Sequence, residues 1–153
     1  MKGINMSTYE THHQVGIKAP SDKVYQALTD PNTLAKWWTS DTRGNSKIGG
    51  HLEFWFGGFC QKFEVVALKP VELVCWKATK EGAGEWSGTE ITFSLKSDNE
   101  QCLVHFVHSG WADKTEFFAH CSTKWAVFLL SLKDLLEKGK GNPAPNDLPI
   151  NHS

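Results

Sequence analysis

A chain of 153 residues has the length of one domain, able to bury roughly 70% of its unfolded surface. Its 16 Lys and Arg against 17 Asp and Glu leave a formal charge of −1, which argues against the one-sided basic excess of a nucleic-acid binder. Nowhere does an apolar run approach the ~20 residues of a membrane span, and the polar segment 1–14 lacks the apolar centre of a signal peptide, so a cytoplasmic location is expected.

Chain order begins with a strand at 8–19, where Val15, Ile17 and Ala19 alternate with Gly16 and Lys18 at the period of two that marks a half-buried strand. Pro20 ends it. Ser21 is placed to cap a short helix and Asp22 suits its positive end, with Val24, Ala27 and Leu28 as the apolar side. Asp30-Pro31 stops that helix and opens a second one carrying Leu34, Trp37 and Trp38. A polar loop is expected over 39–47.

From Gly49-Gly50 a run of strands follows. Leu52, Phe54 and Phe56 alternate with His51, Glu53 and Trp55, and Gly57-Gly58 supplies the positive φ of a two-residue hairpin turn into a strand at 59–68. Turns at 69–72, at the glycine-rich 81–84 and at Asp98-Asn99 separate further strands at 73–79, 86–96 and 101–109. Strands joined this closely form an antiparallel meander. From Asp113 the period changes to 3.6. Phe117, Phe118, Cys121, Trp125, Phe128, Leu129, Leu132, Leu135 and Leu136 make one stripe, with Asp113 and Glu116 as a capping box and Gly139 at the end. About 25 residues give a helix of roughly 37 Å, long enough to lie across the whole sheet. The tail 141–153 is expected as extended surface chain, after a core at about 8–140 of one domain spanning 1–153.

Composition adds seven Trp and nine Phe against two Tyr, which means either a heavy core or a core with a lined hollow. Cys60, Cys75, Cys102 and Cys121 stand singly on apolar stretches and read as buried reduced thiols. The histidine pairs do not converge. His105 and His108, three apart on a strand, face opposite ways; His120 and Cys121 diverge by about 100° on a helix; His12 and His13 split across a strand. No metal site and no cofactor are expected. Trp55 faces away from the helix side, where an exposed indole would hint at a partner surface or a dimer.

The order β-α-α-β-β-β-β-β-α with a long last helix is the pattern of the helix-grip fold. The run Ala19 to Trp38 (APSDKVYQALTDPNTLAKWW), the Gly-Gly before Leu52, the HSGW of His108 to Trp111 and the stretch Ser122 to Pro145 (STKWAVFLLSLKDLLEKGKGNPAP) closely resemble the activator-of-Hsp90-ATPase-homologue-1-like family of START/Bet v 1-type (SRPBCC) domains. The resemblance covers about 11–149. It implies an α+β fold, a curved antiparallel six-stranded sheet wrapped on the C-terminal helix, with two short helices between the first two strands. It also implies a hydrophobic cavity, which would be bounded by Trp37, Phe54, Trp76, Phe93, Phe106, His108, Trp125, Phe128 and Leu129. Alternation alone leaves both faces of 101–109 open; the resemblance turns Val104, Phe106 and His108 inward. A neutral imidazole on an apolar wall would orient a ligand or, equally, bond a backbone carbonyl. Of Trp37 and Trp38, one plugs the core and the other rims the cavity.

Three functions compete. The first is a non-catalytic carrier or sensor of a small hydrophobic molecule, lipid, sterol-like, polyketide-like or flavonoid-like. The second is a stress-response module acting on an Hsp90-type chaperone; the activating co-chaperones also use a separate N-terminal domain, for which 153 residues leave no room. A polyketide cyclase-like enzyme would need polar groups spread along the pocket, whereas the inward positions are nearly all apolar. Catalytic residues are not expected, and the assembly expected is a monomer or weak homodimer.

Overall fold

The computed structural model describes residues 8–80 and 84–151. In chain order the elements are β1 (Tyr9–Ile17), α1 (Ser21–Thr29), α2 (Pro31–Leu34), β2 (Asp41–Gly44), β3 (His51–Phe56), β4 (Phe59–Lys69), β5 (Leu73–Ala78), β6 (Glu90–Asp98), β7 (Gln101–Trp111) and α3 (Glu116–Lys138), with a 3₁₀ turn at Gly84–Trp86. All strands join one sheet in the order β1-β7-β6-β5-β4-β3-β2, each pair antiparallel. The first strand pairs with the last, so β1 stands at an edge. Register shifts between Tyr9 and Thr11 and between Val65 and Ala67 insert bulges, which bend strands and increase their twist. They give the sheet the curvature it needs to close around a helix.

The sheet has seven strands, not six. The additional β2 falls where a polar loop was expected, and it pairs Asp41 with Trp55 and Gly44 with Leu52. Its sequence, DTRG, has no apolar alternation, because as an edge strand it is held by ladder hydrogen bonds and not by a buried face. Trp55 lies, as expected, on the face opposite buried Leu52 and Phe54, and it is half-buried there: the Arg43 guanidinium lies 4.9 Å from its ring centroid, and its Nε1 donates to Glu53 Oε1 at 3.2 Å.

Other boundaries differ through capping and burial. The N-cap of α3 is Thr115, whose Oγ1 accepts from the Phe118 amide at 3.2 Å, while Asp113 Oδ1 takes only the neighbouring Lys114 amide. Ser21 lies inside α1 behind Pro20 and its hydroxyl makes no capping bond. Only four residues of the second short helix are helical, and Trp37 and Trp38 fall in the turn after it. Trp86 leaves the strand expected to begin there and turns inward from the 3₁₀ segment. The expected glycine-rich turn at 81–84 lies, but for Gly84, outside the described residues.

The helix α3 ends at Gly139, in the left-handed conformation with φ +85°, its amide on the Leu135 carbonyl at 3.0 Å. It is tied along β1: Glu137 accepts from the Lys18 amide at 2.8 Å, Lys133 reaches the Gly16 carbonyl, and Ser122 meets His13 at 3.2 Å. The segment after it is not merely surface chain. Ala144 is buried, its amide donates to the Trp38 carbonyl at 2.7 Å and its carbonyl accepts from Ser40 at 3.0 Å. At buried Gly141 a β-carbon would stand 2.6 Å from the Lys36 carbonyl, so only glycine permits the tail to approach so closely.

Candidate functional site

The interior between sheet and helix is filled by aromatic rings. Trp38 packs on Phe54 with centroids 4.0 Å apart, Phe54 on Trp76 at 5.5 Å, Trp76 on Phe93 at 5.3 Å, Phe93 on Phe106 at 5.5 Å and Phe106 on Trp125 at 4.5 Å. Four of these five separations lie in the range of favourable ring pairs, about 4.5–7 Å, and Trp38 and Phe54 stand closer still. Trp37 is fully buried beneath α1, its Nε1 donating to the Ala27 carbonyl at 2.8 Å, and Leu129 is fully buried as well.

An open space lies beside this stack, where Trp38 and Trp125 meet. A cleft of about 340 Å³ runs between the first three turns of α3 and the β3–β4 hairpin, with Trp38, Trp86, Trp125 and Phe128 as its aromatic walls. Phe59, beside the hairpin turn, and Phe117, in the first turn of α3, stand at it 51% and 42% exposed. Ala144 and Asp147 close it from the C-terminal segment. Asp147 is held by Lys124, which also donates to the Leu148 carbonyl at 3.0 Å.

Two polar groups stand out near the cleft. Gln61, on β4, lines the cleft at 3% exposure, and its Oε1 has no protein hydrogen-bond partner. His108 is fully buried behind the cleft. The Thr89 hydroxyl donates to the Trp86 carbonyl at 2.7 Å and therefore accepts from His108 Nε2 at 2.8 Å, which fixes the Nε2–H tautomer and leaves Nδ1 unpaired. Burial against Trp86, Phe106, Trp111 and Trp125 holds the imidazole pKa down to about 3, so it is neutral at ordinary pH. Trp86 also donates Nε1 to Cys121 Sγ at 3.3 Å, joining the 3₁₀ turn to α3 along the cleft wall.

The model of the activator of Hsp90 ATPase homolog 1-like protein family matches residues 18–137. The chain belongs to that family. The Aha1 dimer from Colwellia psychrerythraea, solved in solution, is 48% identical, with 87% of this chain and 99% of that one aligned and a TM-score of 0.81. CalU16 from Micromonospora echinospora (20% identity, 89% of this chain and 77% of that one, TM-score 0.69) and protein MLL2253 from Mesorhizobium loti (19% identity, 85% and 98%, TM-score 0.76) share its fold. No curated protein matches the chain.

Against this family fold, two of the nine side chains expected around a cavity, Trp125 and Phe128, line the cleft. The other seven, Trp37, Phe54, Trp76, Phe93, Phe106, His108 and Leu129, sit in the packed interior. Trp38 is the one of the tryptophan pair that reaches the cleft, while Trp37 is the plug. Val104, Phe106 and His108 do share the buried face of β7, with His105 on the other side. Gln61 was missed, although the sequence carries its signal: alternation places it on the same face as Phe63 and Val65, a polar residue in an apolar row. Phe59 and Phe117 had no such signal, since exposure at a cleft mouth depends on what lies opposite. His105 and His108 lie on opposite faces of β7, but His12 meets His105 and Glu10 on the outer face of the sheet, a pairing across strands that spacing along the chain does not show. Among the described residues no group of three or more His, Cys, Asp or Glu is gathered as for a metal ion, and no helix is long and apolar enough to cross a membrane.

Proposed function

We propose that this protein binds a small, largely apolar molecule in the cleft beside α3 and carries or senses it without transforming it. The observation that carries this reading is the cleft itself: about 340 Å³, within the range of small-molecule sites, walled by three indoles and flanked by exposed Phe59 and Phe117. Ring faces of this kind favour a flat hydrophobic guest. A non-catalytic role is supported by the wall chemistry, since Lys124 and Asp147 neutralise one another and His108 stands behind the wall with a pKa held too low for proton transfer near neutrality. The test is titration of tryptophan fluorescence with 2-methoxynaphthalene, on the protein and on a Phe59→Glu variant that puts a charge at the exposed mouth of the cleft. Saturable quenching that the variant loses while keeping its melting temperature supports the reading; equal binding by both proteins, or by neither, refutes it.

A second reading rests on the 48% identity to the Colwellia Aha1 and on the family's description: a contact with an Hsp90-type chaperone, the protein acting alone or as a homodimer like that relative. Adding the purified protein to a bacterial Hsp90 and following ATP hydrolysis tests it, with sedimentation to give the assembly state. An unchanged rate and no co-sedimentation would remove it.

A further inference from the structure

The outer face of the sheet, turned away from α3, carries a histidine pair that the cleft does not use. In the antiparallel register His12 of β1 stands opposite Val107, and Gln14 opposite His105 of β7, so His12 and His105 are diagonal neighbours on one face, within reach of each other's side chains. Their ring centroids are 5.2 Å apart, and His12 Nδ1 lies 3.0 Å from His105 Nε2.

The other two ring nitrogens decide what can stand between these. His12 Nε2 donates to the Glu10 carboxylate, and His105 Nδ1 lies 3.4 Å from the side-chain carbonyl oxygen of Gln14. Both partners are acceptors, so each of those nitrogens carries the proton of its neutral ring and the two facing nitrogens both present lone pairs. Lone pairs so close repel, and a cation between them turns the repulsion into two bonds. A far N–H held by a carboxylate or carbonyl is also how metal-binding histidines are fixed in tautomer and aimed. With nitrogen–metal bonds of about 2.05 Å, the 3.0 Å separation gives an angle at the metal of about 94°, whereas a tetrahedral centre needs about 3.3 Å. Adjacent positions near a right angle suit tetragonal Ni(II) and Cu(II).

We propose that His12 Nδ1 and His105 Nε2 bind a divalent transition-metal ion of the nickel or copper kind in adjacent coordination positions, with Glu10 and Gln14 aiming the two rings. Glu10 engages the far nitrogen of His12 and so is not itself a ligand, and among the described residues no third His, Cys, Asp or Glu joins the pair. Water completes the shell. The site is open and exchangeable, and it ties the edge strand β1 to β7.

The experiment is calorimetric titration of the untagged protein with NiCl2 at pH 8, beside His12→Gln, His105→Gln, Glu10→Ala and His13→Gln. One ion per chain is expected. Because the second imidazole acts as an intramolecular ligand, loss of either member of the pair should weaken binding by roughly tenfold or more. Glu10→Ala should cost about tenfold through the ring it aims. His13, next in sequence but turned to Ser122 of α3, is the control, and His13→Gln should stay within about twofold of the unaltered protein. In the unaltered protein, substoichiometric Cu(II) should broaden first the backbone amide resonances of residues 11–13 and 104–106, a readout that does not depend on any variant folding. Absence of binding, the result if the pair shares only a proton, overturns the site, as does affinity that survives both histidine variants or broadening centred elsewhere. Unchanged affinity in Glu10→Ala overturns its aiming role.

Discussion

Trp86 Nε1 donates to Cys121 Sγ across 3.3 Å, a bond from the turn before β6 to the second turn of α3. Burial pushes the Cys121 thiol up to about 11 from an ordinary value near 9, and the indole donor offsets part of that rise. The thiolate is the reactive form. At pH 8 its fraction is then roughly a hundredfold below that of an ordinary cysteine, and since the buried sulfur is also shielded from reagent, alkylation of Cys121 in the native protein should be slower than in urea by at least about that factor. Peptide-resolved mass spectrometry of iodoacetamide labelling measures it, and comparable rates in the two states would contradict the burial.

His108 predicts an acid sensitivity whose sign follows from proton counting. Its native pKa of about 3 lies far below the ordinary 6.5 of the unfolded chain, so between those values the unfolded state holds the extra proton and stability falls as pH falls. The contribution is complete above about pH 6.5 and is lost at ~1.4 kcal/mol per pH unit beneath it, on the order of 2 kcal/mol by pH 5. Urea unfolding from pH 7 to pH 5 should show this slope in the protein and a shallower one in His108→Gln. Parallel curves would mean that other groups cause the acid loss.

The start of α3 distinguishes two neighbouring residues. Thr115→Ala removes the acceptor for the Phe118 amide and should cost about 1 kcal/mol, whereas Asp113→Ala should stay within ~0.5 kcal/mol. Thermal unfolding of both variants checks the order, and a larger effect at Asp113 would restore it as the cap.

On β7 the two faces should respond very differently. Phe106 is fully buried between Phe93 and Trp125, so Phe106→Ala should cost about 3–5 kcal/mol. His105 is only partly buried on the outer face, near His12 and Gln14, and His105→Ala should change stability by no more than ~0.5 kcal/mol. A reversal of the two in chemical denaturation would shift the strand's register by one residue.

The elements legible in the sequence are those whose burial repeats along the chain. The stripe Phe117 to Leu136 marked α3, alternation marked β1 and β3, and the glycines at 57 and 139 marked the turns, because each signal is written in residues a few positions apart. The short β2 escaped because an edge strand of polar residues is held by backbone bonds to β3, which no side-chain pattern records. The cap of α3 moved to Thr115 because which oxygen meets the free amide depends on the path of the incoming chain.

The site divides in the same way. Aromatic abundance told of a large apolar interior, and the position of Gln61 in its row was there to be read. Whether those rings enclose a hollow or fill it was not, since that depends on how Trp38, Trp76, Phe93 and Trp125, far apart in sequence, interlock in three dimensions. Only tertiary structure brought α3, the β3–β4 hairpin and Ala144 of the C-terminal segment around one cleft. A pattern along the chain fixes which faces are buried; the volume left between those faces is set by side chains that meet across long stretches of sequence.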